Sequence, residues 1–400
     1  MSNTILTIDM ITRKALAVLE NNLVLARNID RQYDSSFGVE GAKIGASLRV
    51  RKPPRYLVQD GAALQAEDMT EDYTTVTITS QKHVGVNFTS ADLALSMDDF
   101  SSRFLEPAMS QLAAYVDNDL HSVYKDVYNS AGTPGTTPAT SLVLGQAMQK
   151  LDETATPRSM RSAVVNPAAN TQLVEGLKGL FNPGNTISNQ FKSGLMGTGV
   201  LGYDEISMSQ SVKNHTTGSW GTSITSTGTL STQGQATLPI SFTGSSKTWA
   251  VGDVFTIAGV YAVNPQTRES TGSLQQFTVT AAATGSSTAT LSISPAIYTA
   301  VHKNATVDSF PQASAVVTMV GTAATAYPQN LVYHRSAFTL ATADLMLPEG
   351  VAMASRQVHN GISMRIVRQY DINNDRLPCR IDIAYGYKCL RPEMACRLWG

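Results

Sequence analysis

The most suggestive string for chemistry is a glycine pattern, in which Gly197, Gly199 and Gly202 satisfy the G-x-G-x-x-G spacing of dinucleotide-binding loops. In such a loop the glycines let the backbone approach a pyrophosphate at the N-terminus of the following helix. The loop must follow a strand, open a helix and precede an acidic residue about twenty positions later. Here the glycines lead into a strand-like segment, and position 222 is threonine. The pattern therefore predicts a tight turn and no nucleotide site.

Residues that could form a nucleophile or a metal site lack the companions that such chemistry needs. Ser122 and Lys125 match S-x-x-K, but both lie within a long predicted helix and the other motifs of that enzyme class are missing. The sequence has no H-E-x-x-H motif and no histidine pair at helical ligand spacing. Its histidines are His83, His121, His215, His302, His334 and His359. We expect no catalytic residues, no metal and no cofactor.

Three cysteines, Cys379, Cys389 and Cys396, lie near the C-terminal end without a C-x-x-C spacing. This odd number predicts reduced, packed thiols instead of a disulfide framework or a zinc site. The N-terminal residues lack the basic and apolar regions of a signal peptide, and no window of about eighteen apolar residues predicts a membrane span. We expect a protein that is made and folded in a cytoplasm.

The composition is poor in charge and almost neutral. Charged residues make up 15% of 400, and 30 basic residues nearly balance 31 acidic ones, for a formal net charge of −1. Such a balance argues against a dedicated DNA-binding protein. The length is enough for two or three structural units with a large core. The many Ser, Thr, Ala and Gly residues suit a surface that contacts copies of itself, and equally an all-β secreted domain.

The long amphipathic stretch at residues 100–131 is the element around which the rest of the chain is arranged. Its apolar positions recur at steps of four and three, which is the helical period. They are Leu105, Met109, Leu112, Val116, Leu120, Val123 and Val127. Pro107 suits a first helical turn, and the Gly/Pro run that starts at Gly132 ends the pattern. We predict a helix of about 25 residues, roughly 37 Å long; a core helix of any large domain would have the same pattern.

The segments before this helix predict an arm and an extended hairpin. Residues 7–31 have the pattern of an amphipathic helix whose partner is not local. Residues 46–55 and 73–88 alternate as two antiparallel strands, separated by a polar excursion. A long hairpin that cannot bury a face in its own domain is expected to lie along a neighbouring subunit.

The segments after the helix alternate between helix and strand and then change character. Residues 142–154 and 168–181 predict helices on either side of a short strand at 163–165. From about residue 216 to 327 charges are rare and short alternating strands predict an inserted β-barrel or sandwich, or less favourably a disordered linker. Large apolar residues support the folded alternative; they are Phe242, Trp249, Phe255, Tyr261, Phe277 and Leu291. The last sixty residues predict a hairpin around residues 373–375.

Taken in order, these segments resemble the major capsid protein of tailed double-stranded DNA bacteriophages. FLEPAMSQLAAYVDNDL looks like the family's spine helix, and GLMGTGVLGYDEISMSQSVKNHT is similar to the turn that enters its axial domain. Pro157-Arg158 followed by AVVNP, and the tail segments NLVYHRSAFTLAT, GISMRIVRQYD and RIDIAYGYKCLRPEMACRL, also resemble the family. DVFTIAGVYAVNPQT resembles the central strands of the β-barrel inserted in coat proteins of the short-tailed Salmonella-phage type.

The resemblance implies an α+β fold of the tailed-phage major capsid type with an inserted all-β barrel domain. Its parts are expected in the following order along the chain. Residues 1–37 form an N-terminal arm helix, 38–88 an extended β-hairpin loop, 89–141 a peripheral domain with the spine helix, 142–215 an axial domain, 216–326 the inserted β-barrel domain, and 327–400 the closing strands that return to the axial and peripheral domains. The insertion either stabilises the subunit and contacts neighbours, or is a folding aid or an exposed ornament.

The implied function is a structural protein that self-assembles as pentamers and hexamers into an icosahedral shell around double-stranded DNA. The implied partners are other copies of the chain, a separate scaffolding protein, a portal protein, packaged DNA through weak non-specific contact and a decoration protein. A separate scaffold is expected because the shell-forming helix begins almost at Met1, where some relatives carry a fused charged scaffold. We expect no membrane partner, assembly in the bacterial host cytoplasm and a final place in the virion capsid.

The residues expected to make contacts between subunits are charged groups of the extended hairpin loop. The basic candidates are Arg49, Arg51, Lys52 and Arg55, and the acidic candidates are Glu67, Asp68, Glu71 and Asp72. Solvated charges worth about 0 to 1 kcal/mol each would give the same pattern. Two other functions are considered. An encapsulin-like nanocompartment shell would need an enzyme cargo, and a phage decoration or adhesin protein would need neither spine helix nor arm.

Overall fold

The computed structural model forms two compact units, each assembled from distant parts of the chain. It describes residues 8–34, 47–52, 55, 56, 58, 73–88, 105–176, 193, 196–373 and 376–400. The first unit comprises Met1–Lys52, Tyr73–His121 and Phe338–Leu390. The second comprises Pro53–Asp72, Ser122–Ala337 and Arg391–Gly400.

The first unit combines two helices with a mixed sheet and a separate hairpin. Its helices are α1 (Ile8–Asn22) and α2 (Glu106–Leu120). Its strands are β1 (Asp30–Asp34), β2 (Ser47–Arg51), β3 (Tyr73–Thr77), β4 (Ser80–Phe88), β20 (Phe338–Ala343), β21 (Met353–His359), β22 (Ile362–Arg368) and β23 (Leu377–Cys389).

In the sheet of the first unit, β23 is the central strand and pairs with other strands along both of its edges. Asp382 of β23 pairs with Arg365 of β22 and also with His83 of β4, so those two strands lie on opposite edges. By the same reasoning β20 lies opposite β4, because Tyr385 pairs with residues of both strands. Beyond β22 and β20 lie β21 and β1, and β1 pairs with β20 in parallel. The β22–β23 pairing confirms the predicted C-terminal hairpin, although residues 374 and 375 of its turn lie outside the described residues.

Helix α1 packs within its own unit, against α2, β21 and β22. Its buried face includes Ala15, Leu16 and Leu19, and Leu23 follows just after the helix. The expected amphipathic helix is present but ends at Asn22, so the prediction is wrong for residues 23–31, the last two of which begin β1. Its partner is non-local as predicted, because β21 lies more than 330 residues further along the chain. Contact of this helix with a neighbouring subunit stays a prediction.

The central helix is shorter than the sequence predicts. Helix α2 has 15 residues, and the chain then tightens into a 3₁₀ helix at His121–Asp126. The predicted apolar stripe is nonetheless buried from Met109 through Leu120 to Val127. The predicted length of about 25 residues is wrong because apolar residues spaced three and four apart also suit a 3₁₀ turn, whose side chains recur every three residues.

Asp117 of α2 ties the end of the N-terminal helix to the central helix. Its carboxylate is almost fully buried and accepts hydrogen bonds from the backbone N–H groups of Val24 (2.5 Å) and Ala26 (3.2 Å). Burial raises the pKa of this carboxyl group to about 6, although these N–H groups and the positive charge of Arg31 favour the ionised form. The contact therefore contains a carboxyl group that titrates in the folded state near pH 6.

The Asp117→Asn variant should remove a pH dependence from the stability of the subunit. The folded-state pKa of about 6 lies above the ordinary aspartate value of 3.8, so the stability from this group is fully present below about pH 4. It is lost as the pH rises through 6. Urea unfolding of unassembled subunits should show the wild type losing about 3 kcal/mol relative to the variant between pH 4 and 7.

The matched control for this measurement is Asn118→Ala, which changes the next position of the helix without removing a titratable group. The pH profile of its unfolding midpoint should follow that of the wild type. Parallel profiles for wild type and Asp117→Asn would contradict a buried carboxyl group that titrates in this window.

The extended hairpin is smaller than predicted because its second strand is divided. Strands β2 and β3 pair antiparallel, with Leu48 opposite Val76, as the alternation predicts. The second half of the same alternating segment forms β4, which pairs with β23 and not with β2. The expectation of one hairpin over residues 46–88 is therefore wrong for residues 80–88, which join the sheet of the same unit.

The second unit contains two further helices and the remaining strands. The helices are α3 (Ser141–Glu153) and α4 (Pro167–Gly176). The strands are β5 (Ser130–Ala131), β6 (Arg161–Val165), β7 (Gly197–Val200), β8 (Tyr203–Met208), β9 (Asn214–Thr216), β10 (Thr222–Ser226), β11 (Gln235–Thr243), β12 (Lys247–Trp249), β13 (Val254–Val263), β14 (Ser270–Ala281), β15 (Ala283–Gly285), β16 (Thr288–Ile297), β17 (Val317–Met319), β18 (Ala326–Pro328), β19 (Asn330–His334) and β24 (Ala395–Leu398).

One sheet of this unit has the order β5-β24-β19-β6-β8-β7. Its core includes Leu144 and Leu151 of α3, Val165 of β6 and Leu173 of α4. The glycine pattern of the sequence lies at its edge, where β7 and β8 pair antiparallel with Val200 opposite Tyr203. The two residues between them, Leu201 and Gly202, have φ values of 51° and 83°. Two positive φ values are those of a tight type I′ turn, so the prediction of a tight turn is confirmed.

A second sheet is formed by six strands within residues 222–319, and we call it the closed sheet because one bridge links its first strand to the chain at its last. Its order is β10-β11-β16-β14-β13-β17, and an isolated antiparallel bridge joins Thr225 of β10 to Val316, the residue just before β17. Its interior is apolar, and Trp249, Phe255 and Phe277 are all buried there. Tyr261 departs from the expectation of a buried aromatic residue, since 38% of its side chain is exposed. The alternative of a disordered linker is wrong for this segment.

Candidate functional site

The loop residues predicted to contact neighbouring subunits are partly engaged within the chain itself. The guanidinium carbon of Arg49 lies 4.9 Å from the centroid of the Tyr73 ring, and Arg55 forms an ion pair with Glu393 at 3.3 Å. Arg51 is exposed and Lys52 is partly exposed. The acidic candidates lie outside the described residues; these are Glu67, Asp68, Glu71 and Asp72.

The S-x-x-K pair does not form a nucleophile. Ser122 and Lys125 lie in the 3₁₀ helix His121–Asp126. Ser122 Oγ accepts a hydrogen bond from Nζ of Lys213 at 2.7 Å. The lysine that reaches this hydroxyl therefore comes from another part of the chain, and the arrangement is a local structural contact.

A buried polar cluster, which we call the junction cluster, joins the closed sheet to the rest of the second unit. It is formed by Tyr124, His215, Asp253 and Arg397. Asp253 is its centre, because its carboxylate accepts hydrogen bonds from the backbone N–H groups of Ala250 (2.8 Å) and Gly218 (3.1 Å). Its side chain is fully buried, so these donors replace water around the charge.

His215 connects this carboxylate to the chain that follows α2. Its Nε2 lies 2.8 Å from Asp253 Oδ1, and its Nδ1 lies 3.3 Å from the hydroxyl oxygen of Tyr124. Because an ionised carboxylate only accepts, Nε2 carries the proton and donates. Burial, followed by the negative charge of Asp253, raises the pKa of the Tyr124 hydroxyl although Arg397 opposes the shift. Tyr124 therefore stays protonated and donates to Nδ1 when the imidazole is neutral.

Arg397 of β24 brings a buried positive charge to the same cluster. Its guanidinium donates to the carbonyl oxygen of Gly252 at 2.6 Å and to Thr278 Oγ1 at 3.3 Å, and it stacks 5.4 Å from the Tyr124 ring centroid. Only 1% of the residue is exposed, and burial lowers the pKa of the guanidinium to about 10. Arg397 thus connects β24 with the turn before β13 and with β14.

Further polar contacts surround the junction cluster. Gln276 of β14 accepts a hydrogen bond from the backbone N–H of Ser130 at 2.6 Å and donates to Ser130 Oγ at 2.8 Å. Thr278 Oγ1 donates to the carbonyl oxygen of Lys125 at 3.1 Å. Strand β14 is therefore fixed along the chain segment from Lys125 to Ser130.

In the junction cluster a carboxylate, an imidazole and a hydroxyl group are hydrogen-bonded in series, as they are in a catalytic Asp-His-Ser triad. The buried surroundings nevertheless give this cluster a structural role. Tyr124, His215 and Asp253 are all buried, so a substrate has no access to the hydroxyl group. The four side chains come from positions 124, 215, 253 and 397, and no spacing in the sequence connects them. The only local signal is a charged residue, Arg397, between the apolar positions of a buried strand.

The chain's sequence identifies its family directly. The family described as P22 coat protein, gene protein 5, matches residues 2–400. The chain belongs to the P22 coat protein family. This coat protein is therefore a structural protein of a tailed-phage shell, with its place in the virion capsid and with other copies of itself as partners.

Solved capsid structures resemble this coat protein at low sequence identity. One recorded as Mycobacterium phage Che8 has 11% identity and a TM-score of 0.44, covering 94% of this chain and 90% of that chain. The capsid structure of the cyanophage P-SCSP1u has 11% identity and a TM-score of 0.43, covering 93% and 86%. The mature capsid of bacteriophage PhiM1 has 12% identity and a TM-score of 0.40, covering 92% and 84%. No curated protein sequence matches the chain.

The three cysteines of this coat protein form no disulfide bond. Cys389 and Cys396 are buried, and burial raises the pKa of the Cys396 thiol to about 12. Among the described residues, no group of three or more His, Cys, Asp or Glu side chains could hold a metal ion. Likewise, none of the helices in the described ranges is long and apolar enough to cross a membrane.

Proposed function

We propose that this coat protein assembles as pentamers and hexamers into an icosahedral shell that encloses double-stranded DNA. The observation that carries the proposal is the family match over residues 2–400. The near-neutral, charge-poor composition supports it, because large areas of such a surface can be covered by other copies with little cost of burying charges. A nanocompartment shell and a decoration or adhesin protein are less well supported by that match.

In this proposal the parts of the chain have separate roles in the shell. Residues 1–37 form the arm, 38–79 the extended loop, 89–141 the peripheral domain with the spine helix, 142–215 the axial domain, and 327–400 the closing strands; β4 belongs to the sheet of the first unit. Residues 216–326 form an inserted barrel domain; the bridge between Thr225 and Val316 supports a closed barrel. The junction cluster would then hold this barrel against the axial part of the same subunit.

The proposed assembly takes place in the bacterial host cytoplasm and requires other components. A separate scaffolding protein would set the curvature, and a portal protein would occupy one vertex. Packaged DNA would contact the inner wall weakly and without sequence preference, in keeping with a net charge of −1. A decoration protein is a further candidate partner.

Expression of the chain alone and together with its neighbouring genes tests this function. Sedimentation and electron microscopy should reveal closed or irregular polyhedral shells, and a neighbouring gene that is needed for closed shells would be the scaffold. A soluble monomer or trimer under every condition would contradict the proposed function and favour a decoration protein.

The exposed basic residues of the loop provide a test of the proposed subunit contacts. Reversing the charge of Arg51 and Lys52 to glutamate should lower the yield of closed shells about tenfold or more, because like charges placed opposite each other cost several kcal/mol. The variant subunit should keep its unfolding midpoint and circular dichroism. Shell yield is measured by sedimentation.

The matched control reverses Lys247 of β12 and Arg268 of the turn between β13 and β14, which lie outside the loop and are also partly exposed. A normal yield of shells from the Arg51→Glu/Lys52→Glu variant would mean that these are solvated charges and would refute their role in subunit contacts.

A further inference from the structure

Three turns of the second unit lie together at one end of the strands of the sheet β5-β24-β19-β6-β8-β7; we refer to this end as an edge of the sheet. Strand β6 begins at Arg161, β19 ends at His334 and β24 begins at Ala395. Because β19 pairs antiparallel with both neighbours, the turns at 157–160, 335–337 and 391–394 lie at the same edge. Two backbone hydrogen bonds join them, from Arg335 N to the carbonyl oxygen of Met160 and from Arg391 N to that of Ala337.

Each of these turns carries an arginine, and we call Arg158, Arg335 and Arg391 the arginine edge. The Arg158 side chain is 84% exposed, Arg335 is exposed and Arg391 is partly exposed. Arg158 shares the carboxylate of Asp152 with the buried guanidinium of Arg161, at 3.2 Å and 2.7 Å. One acidic group therefore serves two cations there.

The other two arginines of the edge have no acidic partner among the described residues. The nearest polar contact of the Arg391 guanidinium is the Met394 sulfur at 4.0 Å. Of the acidic groups close to the edge, Glu393 pairs with Arg55, whereas Asp204 accepts the backbone N–H of Met160 at 2.6 Å and offsets part of the positive charge. The edge therefore has an excess of positive charge.

His334, which lies between these turns, is held neutral and adds no charge of its own. Its Nδ1 accepts a hydrogen bond from the backbone N–H of Ser336 at 3.2 Å and lies 2.7 Å from Ser336 Oγ. Burial, followed by the positive charges of Arg161 and Arg391, lowers the pKa of this histidine, with Asp204 opposing the shift.

We propose that the arginine edge binds the phosphate backbone of the packaged duplex DNA, which requires that the edge face the interior of the shell. The inference rests on the proposed function and assigns it a residue-level site. Exposed guanidinium groups that lack carboxylate partners suit phosphate oxygens. A protein partner would normally bury an apolar centre, whereas the exposed apolar residues of these turns are Pro157 and Met160, with Pro392 and Met394 only partly exposed. With three cations the contact is weak, depends on salt and is independent of sequence.

The first test measures DNA binding by unassembled subunits. Fluorescence anisotropy with a short duplex at several salt concentrations should show that the Arg158→Gln/Arg335→Gln/Arg391→Gln variant binds more weakly. Its plot of log affinity against log salt should be less steep by about 2 to 3, since each lost phosphate contact removes about 0.9 from the slope. The control neutralises Lys247, Arg268 and Arg376, which lie outside the edge, and should bind like the wild type. Equal affinity and slope for the edge variant would overturn the proposal.

The second test asks which side of the shell the edge occupies. A Ser159→Cys variant should react with a maleimide attached to a large polymer as a free subunit, and should be protected in closed shells. Equal labelling of shells and subunits would overturn the interior location. A failure to form any shell would contradict the proposed function itself, while the binding measurement on subunits would remain informative.

Discussion

Replacing Arg397 with methionine should destabilise the folded subunit by about 3 to 5 kcal/mol, the range found when one partner of a buried charge arrangement is removed. The guanidinium donates to the carbonyl oxygen of Gly252 and to Thr278 Oγ1, and both would lose a partner inside the protein. The buried carboxylate of Asp253 would also lose the nearby positive charge. Urea unfolding of unassembled subunits measures the change.

Two further variants distinguish the loss of the buried Arg397 charge from the loss of any arginine side chain. Arg335→Met changes an exposed guanidinium and should alter stability by about 0.5 kcal/mol or less. The double variant Arg397→Met/Asp253→Asn should be less destabilised than the sum of its single variants, because the remaining charge is removed as well. Additive effects, or a loss below about 1 kcal/mol for Arg397→Met, would contradict the proposed coupling of the junction cluster.

The second large effect is expected from Phe255→Ala in the closed sheet. Phe255 is fully buried, pairs across strands with Phe277 and stacks on its ring with centroids 5.7 Å apart. Removing a buried phenyl ring loses its transfer free energy and leaves a cavity, which together cost about 3 to 5 kcal/mol. Hydrogen exchange should become faster in β13 and β14.

The control lies on the same strand, where Tyr261 is 38% exposed. Tyr261→Ala should cost about 1 kcal/mol or less, because little new cavity is formed. If Phe255→Ala accelerated exchange equally in the β22–β23 hairpin of the first unit, the closed sheet would not be a separately cooperative part of the chain. Unchanged exchange throughout would contradict the role of this ring in the core.

Local pattern was enough to predict most elements but not all of their partners. The alternation of residues 46–55 and 73–77 identified β2 and β3, since a hairpin pairs with its own neighbour in sequence. The same alternation continued through β4, whose partner β23 lies almost 300 residues away. Alternation fixes which side chains share a face, and it carries no information about which distant strand completes the ladder.

The functional residues likewise divide into those that are close together in the sequence and those that only the fold brings together. The loop arginines were recognisable as a cluster in sequence, whereas the junction cluster depends on positions 124, 215, 253 and 397 that only the fold brings together. Charges such as Asp117 and Arg397 look solvated in a linear pattern. Their burial follows from tertiary packing, which supplies backbone hydrogen-bond partners that the sequence does not specify.

The pairing of strand β23 along both of its edges determines how the first unit resists a pulling force. Its 13 residues pair with β4 over Leu377–Tyr385 on one edge, and on the other edge with β22 and then β20. A force along the strand direction is shared by nine cross-strand positions of β4 at once, in shear, instead of opening them one after another. Tension that enters through β22 passes to β20 along a single covalent strand. Strand β23 therefore transmits tension between the strands that pair with it, which are β4, β20 and β22.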